Sequence, residues 1–351
     1  MDHGFKVPVA WDIPLTEDYD FELVSNVAKD PGTHHFFGLQ NPCLVEQVAA
    51  WKPDVVHITG WAWLSHLRAM RAFYRRGTPI VFRGDSHLLN QIQSGPSWWL
   101  KRLVLRQVFS WPTVFLAVGE ANCAYYEAFG IGSDRVYRCP HSIDVARFAE
   151  PAVVLEQQAA QWRLKLGIAP DRCVLLYAGK FEPKKRPIEL MQAVRTSPNR
   201  HLVLVMVGGG ELGEEVKSIA NSDPDRFRLL PFQNQSRMPV VYRLGDLFVL
   251  PSAFGETWGL AVNEALACGR PVLVSDRVGC APDIVNDAVG KVFSWSDASS
   301  LSKAIATITA DRYKLLEMGR AAAISASSFD VAGTEVRFMD ALNGICGQTR
   351  A

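Results

Sequence analysis

The chain has 351 residues, 48% hydrophobic and 21% charged, which suits two ordinary globular domains and excludes a disordered chain. Its formal net charge is +1, so bulk charge gives no case for a nucleic acid partner. No apolar run is long enough to span a membrane, and the opening Met-Asp-His-Gly-Phe-Lys has no signal-peptide core. Seven cysteines are scattered without a C-x-x-C pair, which favours reduced thiols in a cytoplasmic protein over a disulfide framework.

Residues 1 to 20 read as irregular, with Pro8, Pro14 and a polar cluster from Thr16 to Asp20. Phe21 to Val24 has the composition of a short strand. Pro42 opens a helix to about Trp51. The strand Val55 to Ile58, the helix Leu64 to Arg75 and the strand Ile80 to Phe82 follow. Residues 97 to 109 read as a helix, Val114 to Val118 as a buried strand, Asn122 to Phe129 as a helix and Val136 to Arg138 as a strand. This alternation predicts a parallel sheet flanked by helices. A polar stretch near Phe148 to Ala152 marks the boundary between a first domain, residues 1–149, and a second, residues 150–330.

The second domain repeats the alternation. Helices are predicted over Val154 to Leu166, Pro187 to Val194, Glu211 to Ala220 and Met238 to Leu244. Strands are predicted over Val174 to Ala178, Leu202 to Val207, Arg228 to Leu230 and Leu247 to Leu250. The stretch after Leu250 is the most informative. It reads Pro-Ser-Ala-Phe-Gly-Glu-Thr-Trp-Gly, then a helix from Leu260 to Ala267, a stop at Gly269 and a strand from Val272. In a parallel sheet such a loop lies at the ligand side, where free amides at a helix start attract phosphate. Glu256 precedes the helix and Glu264 lies about one turn inside it, giving E-x7-E. Alone, each glutamate reads as a solvated charge. Together with Gly255, Thr257 and Gly259 they read as a site. Residues 331–351 hold a final amphipathic helix, with Val336, Met339, Leu342 and Ile345 at helical spacing.

The segment resembles the donor-site signature of retaining family-4 glycosyltransferases. The resemblance is specific over residues 135 to 330 and looser over 20 to 135. It implies a GT-B fold, α/β, with two Rossmann-like domains facing a cleft. It also implies transfer of a sugar from a nucleotide diphosphate sugar to an acceptor hydroxyl. By it, Glu256 contacts the sugar, Glu264 the ribose, and amides from Thr257 through Trp258, Gly259 and Leu260 hold the diphosphate. Lys180 and Lys185, five positions apart after the strand that ends near Gly179, neutralise the leaving group. The family has arginine at the first of these positions. Lysine lacks its bidentate fork, so phosphate is held more loosely. Base contacts are expected near Pro231-Phe232. No metal or other cofactor is expected. The last helix would return to the first domain.

Acceptor-side candidates come from the first domain: Arg83, Asp85 and His87 after one strand, and His57 at the end of another. Gly84 stands where the family often has a histidine, and His141 where it commonly has asparagine. Singly, each histidine reads as structural. Such proteins open on a buried strand with a glycine-rich loop, and nothing like it precedes Phe21. The first domain is therefore expected to lack that strand, which leaves open whether the chain as given is complete and active.

Three readings compete with transfer. Gly208 to Gly213 fits G-x-G-x-x-G and suggests an NAD-dependent enzyme, but it does not follow a domain's first strand, and the acid expected about 20 residues on is not clean, Asp225 being the nearest. A nucleotide-sugar epimerase and a non-catalytic relative share the fold. Asp223-Pro224-Asp225 reads as a turn rather than a metal site. The acceptor could be a glycan, a lipid-linked molecule or a small molecule, as in polysaccharide biosynthesis. Residues 97–109 add a membrane option. Leu100, Leu103, Val104 and Val108 form one stripe, Lys101, Arg102 and Arg106 carry charge, and Trp98, Trp99 and Trp111 flank them. The helix suits either the core or an anionic surface on the inner face of a membrane.

Overall fold

In the computed structural model, residues 11–17, 19–89 and 94–348 are described. They form two compact units, one from residues 16–140 with 332–348, the other from residues 11–15 with 141–331.

The first of these holds strands β1 (Val56–Thr59), β2 (Ile80–Gly84), β3 (Val114–Ala117) and β4 (Val136–Arg138). They lie side by side in chain order, every neighbour parallel. Helices α1 (Leu44–Ala50), α2 (Leu64–Arg75), α3 (Pro96–Val108) and α4 (Glu120–Ala128) accompany them. Strand side chains alternate between faces, and the sequence uses both. Phe82 and Phe115 join Met70, Phe73, Phe109 and Tyr126 under the helices. Val81, Val114 and Leu116 point the other way, against Ala341 and Ile345 of the last helix, Val331–Gln348. That helix comes close because Gly344 has no side chain: a Cβ there would lie 2.0 Å from the Tyr137 hydroxyl.

Residues 21–24 are not a strand. Their neighbours are held by side chains instead, with Asn41 Nδ2 donating to the carbonyls of Val24 and Ser25. Among the described residues no strand precedes Val56.

The second unit holds β5 (Cys173–Lys180), β6 (Leu202–Gly209), β7 (Phe227–Leu230), β8 (Leu247–Leu250), β9 (Val272–Ser275) and β10 (Gly290–Phe293). Its helices are α5 (Val145–Ala149), α6 (Ala152–Lys165), α7 (Pro187–Thr196), α8 (Gly213–Ser222), α9 (Met238–Arg243), α10 (Leu260–Ala267), α11 (Ala281–Ile284), α12 (Ser300–Ile308) and α13 (Arg312–Ala326). The sheet order is β10-β9-β8-β5-β6-β7, all parallel. From β5 the chain builds outward through β6 and β7, then crosses back to start β8 on β5's other edge. The point of reversal is the β5–β8 pair, and ligands of such sheets bind outside the carboxyl ends there.

Strand β10 was not anticipated from the sequence. It is four residues long and carries a lysine and a glycine, so it has no apolar run. Gly290 is required because a Cβ would lie 2.1 Å from the Val272 carbonyl oxygen. The unit also takes in α5, ahead of the expected boundary at 149. Phe148 is fully buried, and the carbonyls of Phe148 and Ala149 accept from Arg243 at 2.7 and 3.0 Å. The glycine run at 208–210 has a packing explanation. Gly208, with φ +142, abuts β5 so closely that a Cβ would lie 2.0 Å from the Gly179 carbonyl oxygen.

The packing of the last helix is testable. Ile345→Ala removes a buried side chain from the β2–β3 face and should destabilise that unit by about 2–4 kcal/mol. A urea melt followed by circular dichroism should show its transition moving to lower denaturant; an unmoved transition would mean the helix adds nothing to the sheet.

Candidate functional site

The candidate site of the second unit is assembled at the β5–β8 reversal from two loops and the start of a helix. The first follows β5. Tyr177 Oη donates to the Lys180 carbonyl at 2.7 Å, and the Phe181 amide donates to Gly209 at 2.7 Å. Both bonds pin the turn that carries Lys180. Arg186 then takes the left-handed conformation, φ 52, which side chains seldom adopt. It is held there by a bond from its Nη1 to the Trp295 carbonyl, 3.1 Å. The neighbouring Lys185 reaches across to the next loop, to Glu256.

The second loop follows β8. The Ala253 amide donates to the Lys184 carbonyl at 2.8 Å, which joins it to the first loop. Glu256 forms an ion pair with Lys185, and both side chains are more than four-fifths buried. Ser252 Oγ adds a hydrogen bond to the same carboxylate oxygen, 3.0 Å. The Gly279 and Cys280 amides donate to the carbonyls of Glu256 and Trp258 at 3.0 and 2.9 Å. Gly279 permits this: a Cβ would lie 1.9 Å from the Thr257 carbonyl oxygen.

Helix α10 begins after Gly259, whose φ of +99 makes the sharp entry. No side chain caps it, and the Val262 amide turns back to the Gly259 carbonyl at 2.8 Å, so the amides ahead of Val262 are the ones a ligand or water would meet. Thr257 and Gly259 precede this entry and Leu260 opens the helix. Trp258 is different, since its side chain is buried in the unit and donates to Asn263 Oδ1 at 2.9 Å. Its side chain is therefore packed away from any ligand.

Glu264 stands one turn into α10 and faces a separate cavity of about 180 Å³. Gly179, Gly208, Phe232, Tyr242 and Trp11 share its wall. Tyr242 Oη donates to Glu264 Oε2 at 2.5 Å. Burial raises the Glu264 pKa above the ordinary carboxyl value, while the Tyr242 bond and the Arg147 charge oppose the rise. Arg147 is itself fixed by two bonds to Gln235, at 2.9 and 3.0 Å. A wider groove of about 790 Å³ runs along α8 and β7 and shares Gly208 with this cavity.

Tyr242, Arg147, Ser252 and Trp11 belong to this constellation and were not singled out from the sequence. Trp11 and Arg147 lie far from the E-x7-E string in the chain, Tyr242 lies on the preceding helix, and Ser252, four residues before Glu256, reads as an ordinary loop serine; none follows a spacing rule. His141 was expected on the acceptor side. It groups with the second unit: its ring centroid is 6.0 Å from that of Trp258, and its carbonyl accepts from Asn263 at 3.4 Å.

The remaining acceptor-side candidates lie in the first unit: Arg83, Asp85 and His87 at the carboxyl end of β2, and His57, expected at the end of its strand, as the second residue of β1, because β1 runs on through Thr59. Arg83 donates to Cys139 Sγ at 3.4 Å and to the Pro140 carbonyl at 3.3 Å. Asp85 is exposed and His87 buried, with His87 Nδ1 accepting from the Leu89 amide at 3.2 Å. The loop between them is anchored by α4, since Asn122 donates to the Ser86 carbonyl at 2.7 Å. His57 sits on β1 with its ring edge-on to Phe338, 5.4 Å between centroids. Burial first, and the Arg83 charge second, lower its pKa. Asp223 to Asp225 form the turn from α8 into β7. A cluster of Asp30, His34 and His35 has metal-ligand reach, but His35 Nδ1 accepts from the Phe37 amide at 3.2 Å. A neutral His35 then carries its proton on Nε2, the atom a metal would need.

Comparison with known proteins bears on family and fold. Residues 158–324 match the model of glycosyl transferases group 1, and residues 11–147 match that of glycosyltransferase family 4. A D-inositol 3-phosphate glycosyltransferase of Actinosynnema mirum is 33% identical over 70% of this chain and 63% of its own length. That of Nocardia farcinica is 31% identical over 59% of this chain, and the match spans 47% of its length, so the chain covers about half to two thirds of these relatives. Among solved structures, Anabaena HepE in complex with UDP superposes with a TM-score of 0.71 at 18% identity, over 86% of this chain and 82% of that one. Sucrose-phosphate synthase from Thermosynechococcus elongatus gives 0.68 at 19% identity, over 88% and 78%. At these identities the structures speak for the fold alone. The two family models follow one another along the chain as its two parallel sheets do, and the chain belongs to the family-4, group 1 glycosyltransferases of GT-B fold.

Proposed function

We propose that this protein is a retaining glycosyltransferase that moves a sugar from a nucleoside diphosphate sugar to an acceptor hydroxyl. The observation that carries the reading is the placement of Lys185, Glu256 and Glu264 around an uncapped helix start at the sheet's reversal point. In this reading the α10 amides, Lys180 and Lys185 hold the diphosphate, and Glu264 takes the ribose. Glu256 takes sugar hydroxyls. Phe232 and Trp11 border the cavity that would receive the base.

The leaving group is a diphosphate, so the work is to stabilise growing negative charge and to align the acceptor. The lysines and amides supply positive charge at that point, and the proposal needs no metal. Glu256 is already engaged by Lys185 and Ser252, which makes it a poor nucleophile for a double displacement. Attack from the face the leaving group departs is the expected route to retention. Arg83, Asp85 and His87 are proposed for the acceptor. The relatives' name points to a phosphorylated polyol as one acceptor class, beside glycans and lipid-linked sugars. Six described cysteines are free thiols, which suits the reducing cytoplasm.

The test is incubation with UDP, GDP and ADP sugars, with and without acceptors of these three classes. Acceptor-dependent release of nucleoside diphosphate, and a product keeping the donor's anomeric configuration by NMR, are expected. Release of free sugar with no acceptor would identify an epimerase-like enzyme, and an inverted product would overturn the retaining mechanism.

Three variants probe the roles. Glu264→Ala should weaken nucleoside diphosphate binding by about 1.5–3 kcal/mol, the worth of a hydrogen bond to a charged group, and calorimetry showing unchanged affinity would remove Glu264 from the site. Lys180→Ala with Lys185→Ala should lower kcat about 10²–10³-fold, because charge on the diphosphate grows in the transition state; normal turnover would sink that assignment. Tyr242→Phe removes a bond that favours the Glu264 carboxylate. The folded-state pKa of Glu264 is raised, so the protonated form is the better tolerated and stability is lost as pH rises through it. The variant should raise that pKa further. Its deficit in denaturant melts should be largest near neutral pH and shrink as pH falls towards 4.5, and a pH-independent deficit would show that the hydroxyl does not act through the carboxylate.

A further inference from the structure

Helix α3 buries Trp98, Leu105 and Val108. Three of the four apolar residues that the sequence aligned as its stripe are on the other side. Leu100 is 64% exposed, Leu103 70% and Val104 50%, and Trp99 beside them is 61% exposed. At 100° per residue these four fall within one face, directly opposite the buried one. An outward face of Trp and three aliphatics is costly for a helix that meets only water.

The charge around it is one-sided. From residue 55 to residue 119 the sequence holds eight cations, Arg68, Arg71, Arg75, Arg76, Arg83, Lys101, Arg102 and Arg106, against one acid, Asp85. Net charge for the whole chain is only +1, so this stretch is strongly polarised. Arg102 and Arg106 flank the apolar face of α3, and the Arg102 guanidinium lies 5.5 Å over the Trp99 ring. The next helix in the layer completes the pattern. Strands β1, β2 and β3 are neighbours in chain order and all parallel, so right-handed crossovers put α2 and α3 side by side on one face of the sheet. On α2, Arg68, Arg71 and Arg75 are exposed and spaced i, i+3, i+7, opposite the buried Ala69, Met70 and Phe73. The layer thus shows water an apolar ridge beside an arginine stripe, with no acid in either helix.

We infer that the outer layer of α2 and α3 is a docking surface for an anionic lipid bilayer, with Trp99, Leu100, Leu103 and Val104 entering the headgroup boundary and the arginines contacting lipid phosphates. A second copy of the chain is disfavoured by the charge, because two such faces would repel. A nucleic acid would use the arginines but leave the aliphatic ridge idle. Bilayers match both halves of the pattern. The inference does not depend on the donor site of the other unit.

Flotation with vesicles tests it, using phosphatidylcholine alone and phosphatidylcholine with 30% phosphatidylglycerol. The wild type should float with the anionic vesicles, far less with the neutral ones, and be released as salt rises. Leu100→Ser with Leu103→Ser should abolish flotation. Arg71→Ser with Arg75→Ser should weaken it by about fivefold per cation. All four positions are exposed, so melting temperatures and circular dichroism spectra should stay at the wild-type values. Equal flotation on both lipids, none on either, or full binding by the Leu variant would overturn the inference. So would a wild-type dimer in sedimentation that the Leu variant dissolves, since the ridge would then be a contact between copies.

Discussion

Strand β5 is the constraint on which the second unit depends. It pairs β6 over its whole length, from Cys173 to Lys180, and β8 on its opposite edge. Both neighbours must come within backbone hydrogen-bonding distance, so both of its faces and both of its edges are used. This is why the strand is nearly pure apolar until Tyr177 and then turns to Ala-Gly-Lys. It also explains the glycines at its end. Gly179 and Gly208 touch backbone to backbone where the sheet's carboxyl edge opens, and a side chain at Gly208 would wedge β6 away. Close packing there and a site there have one cause. Loops diverge only at a reversal of strand order, and that divergence leaves room for a ligand beside an uncapped helix.

The two glutamates at this edge live under different electrostatic rules. Glu256 has a cation and a hydroxyl on the same oxygen, so its charge is compensated locally. Glu264 has a phenol and only a distant guanidinium, and burial wins over both in raising its pKa. A hydrogen bond from a neutral donor does not repay the loss of water around a carboxylate as a cation does. Hydroxyls arriving in the cavity would add donors to an underserved carboxylate, which is a physical reason for a ribose to be welcome there.

What could be read from the sequence follows the same physics. The helix Leu64–Arg75 agrees to the residue, because its apolar positions repeat at 3.6 and Gly77 ends it sharply. The E-x7-E turn agrees because glycine and proline punctuate it. Phe21 to Val24 has strand composition and no partner strand, and composition without a partner does not make a ladder. On α3 the period is right, and the choice the sequence left open, core or surface, is divided by the fold. Trp98 and Leu105 are taken into the core, while Leu100, Leu103 and Val104 are left outside. Periodicity shows that apolar residues share a face; it cannot say which face meets the sheet when both are apolar. Tyr242 was invisible for another reason. A contact spanning 22 residues between two helices exists only after folding.

The ion pair of Lys185 and Glu256 bears on how the proposed reaction selects its donor. Both partners are largely buried, and stripping one partner from a buried pair costs about 3–5 kcal/mol because the other charge is left without compensation. A phosphate that drew Lys185 away would meet that cost in full if nothing reached Glu256. Ser252 offsets a part of it, since one hydroxyl remains on the carboxylate. A sugar attached to the same diphosphate can offset more, by offering its own hydroxyls to Glu256 as the lysine leaves. Nucleoside diphosphate and nucleoside diphosphate sugar then differ at the protein by more than the sugar's own contacts, because only the second satisfies both halves of the opened pair. The pair would thus hold the site neutral while no donor is bound and favour the intact donor over its spent product.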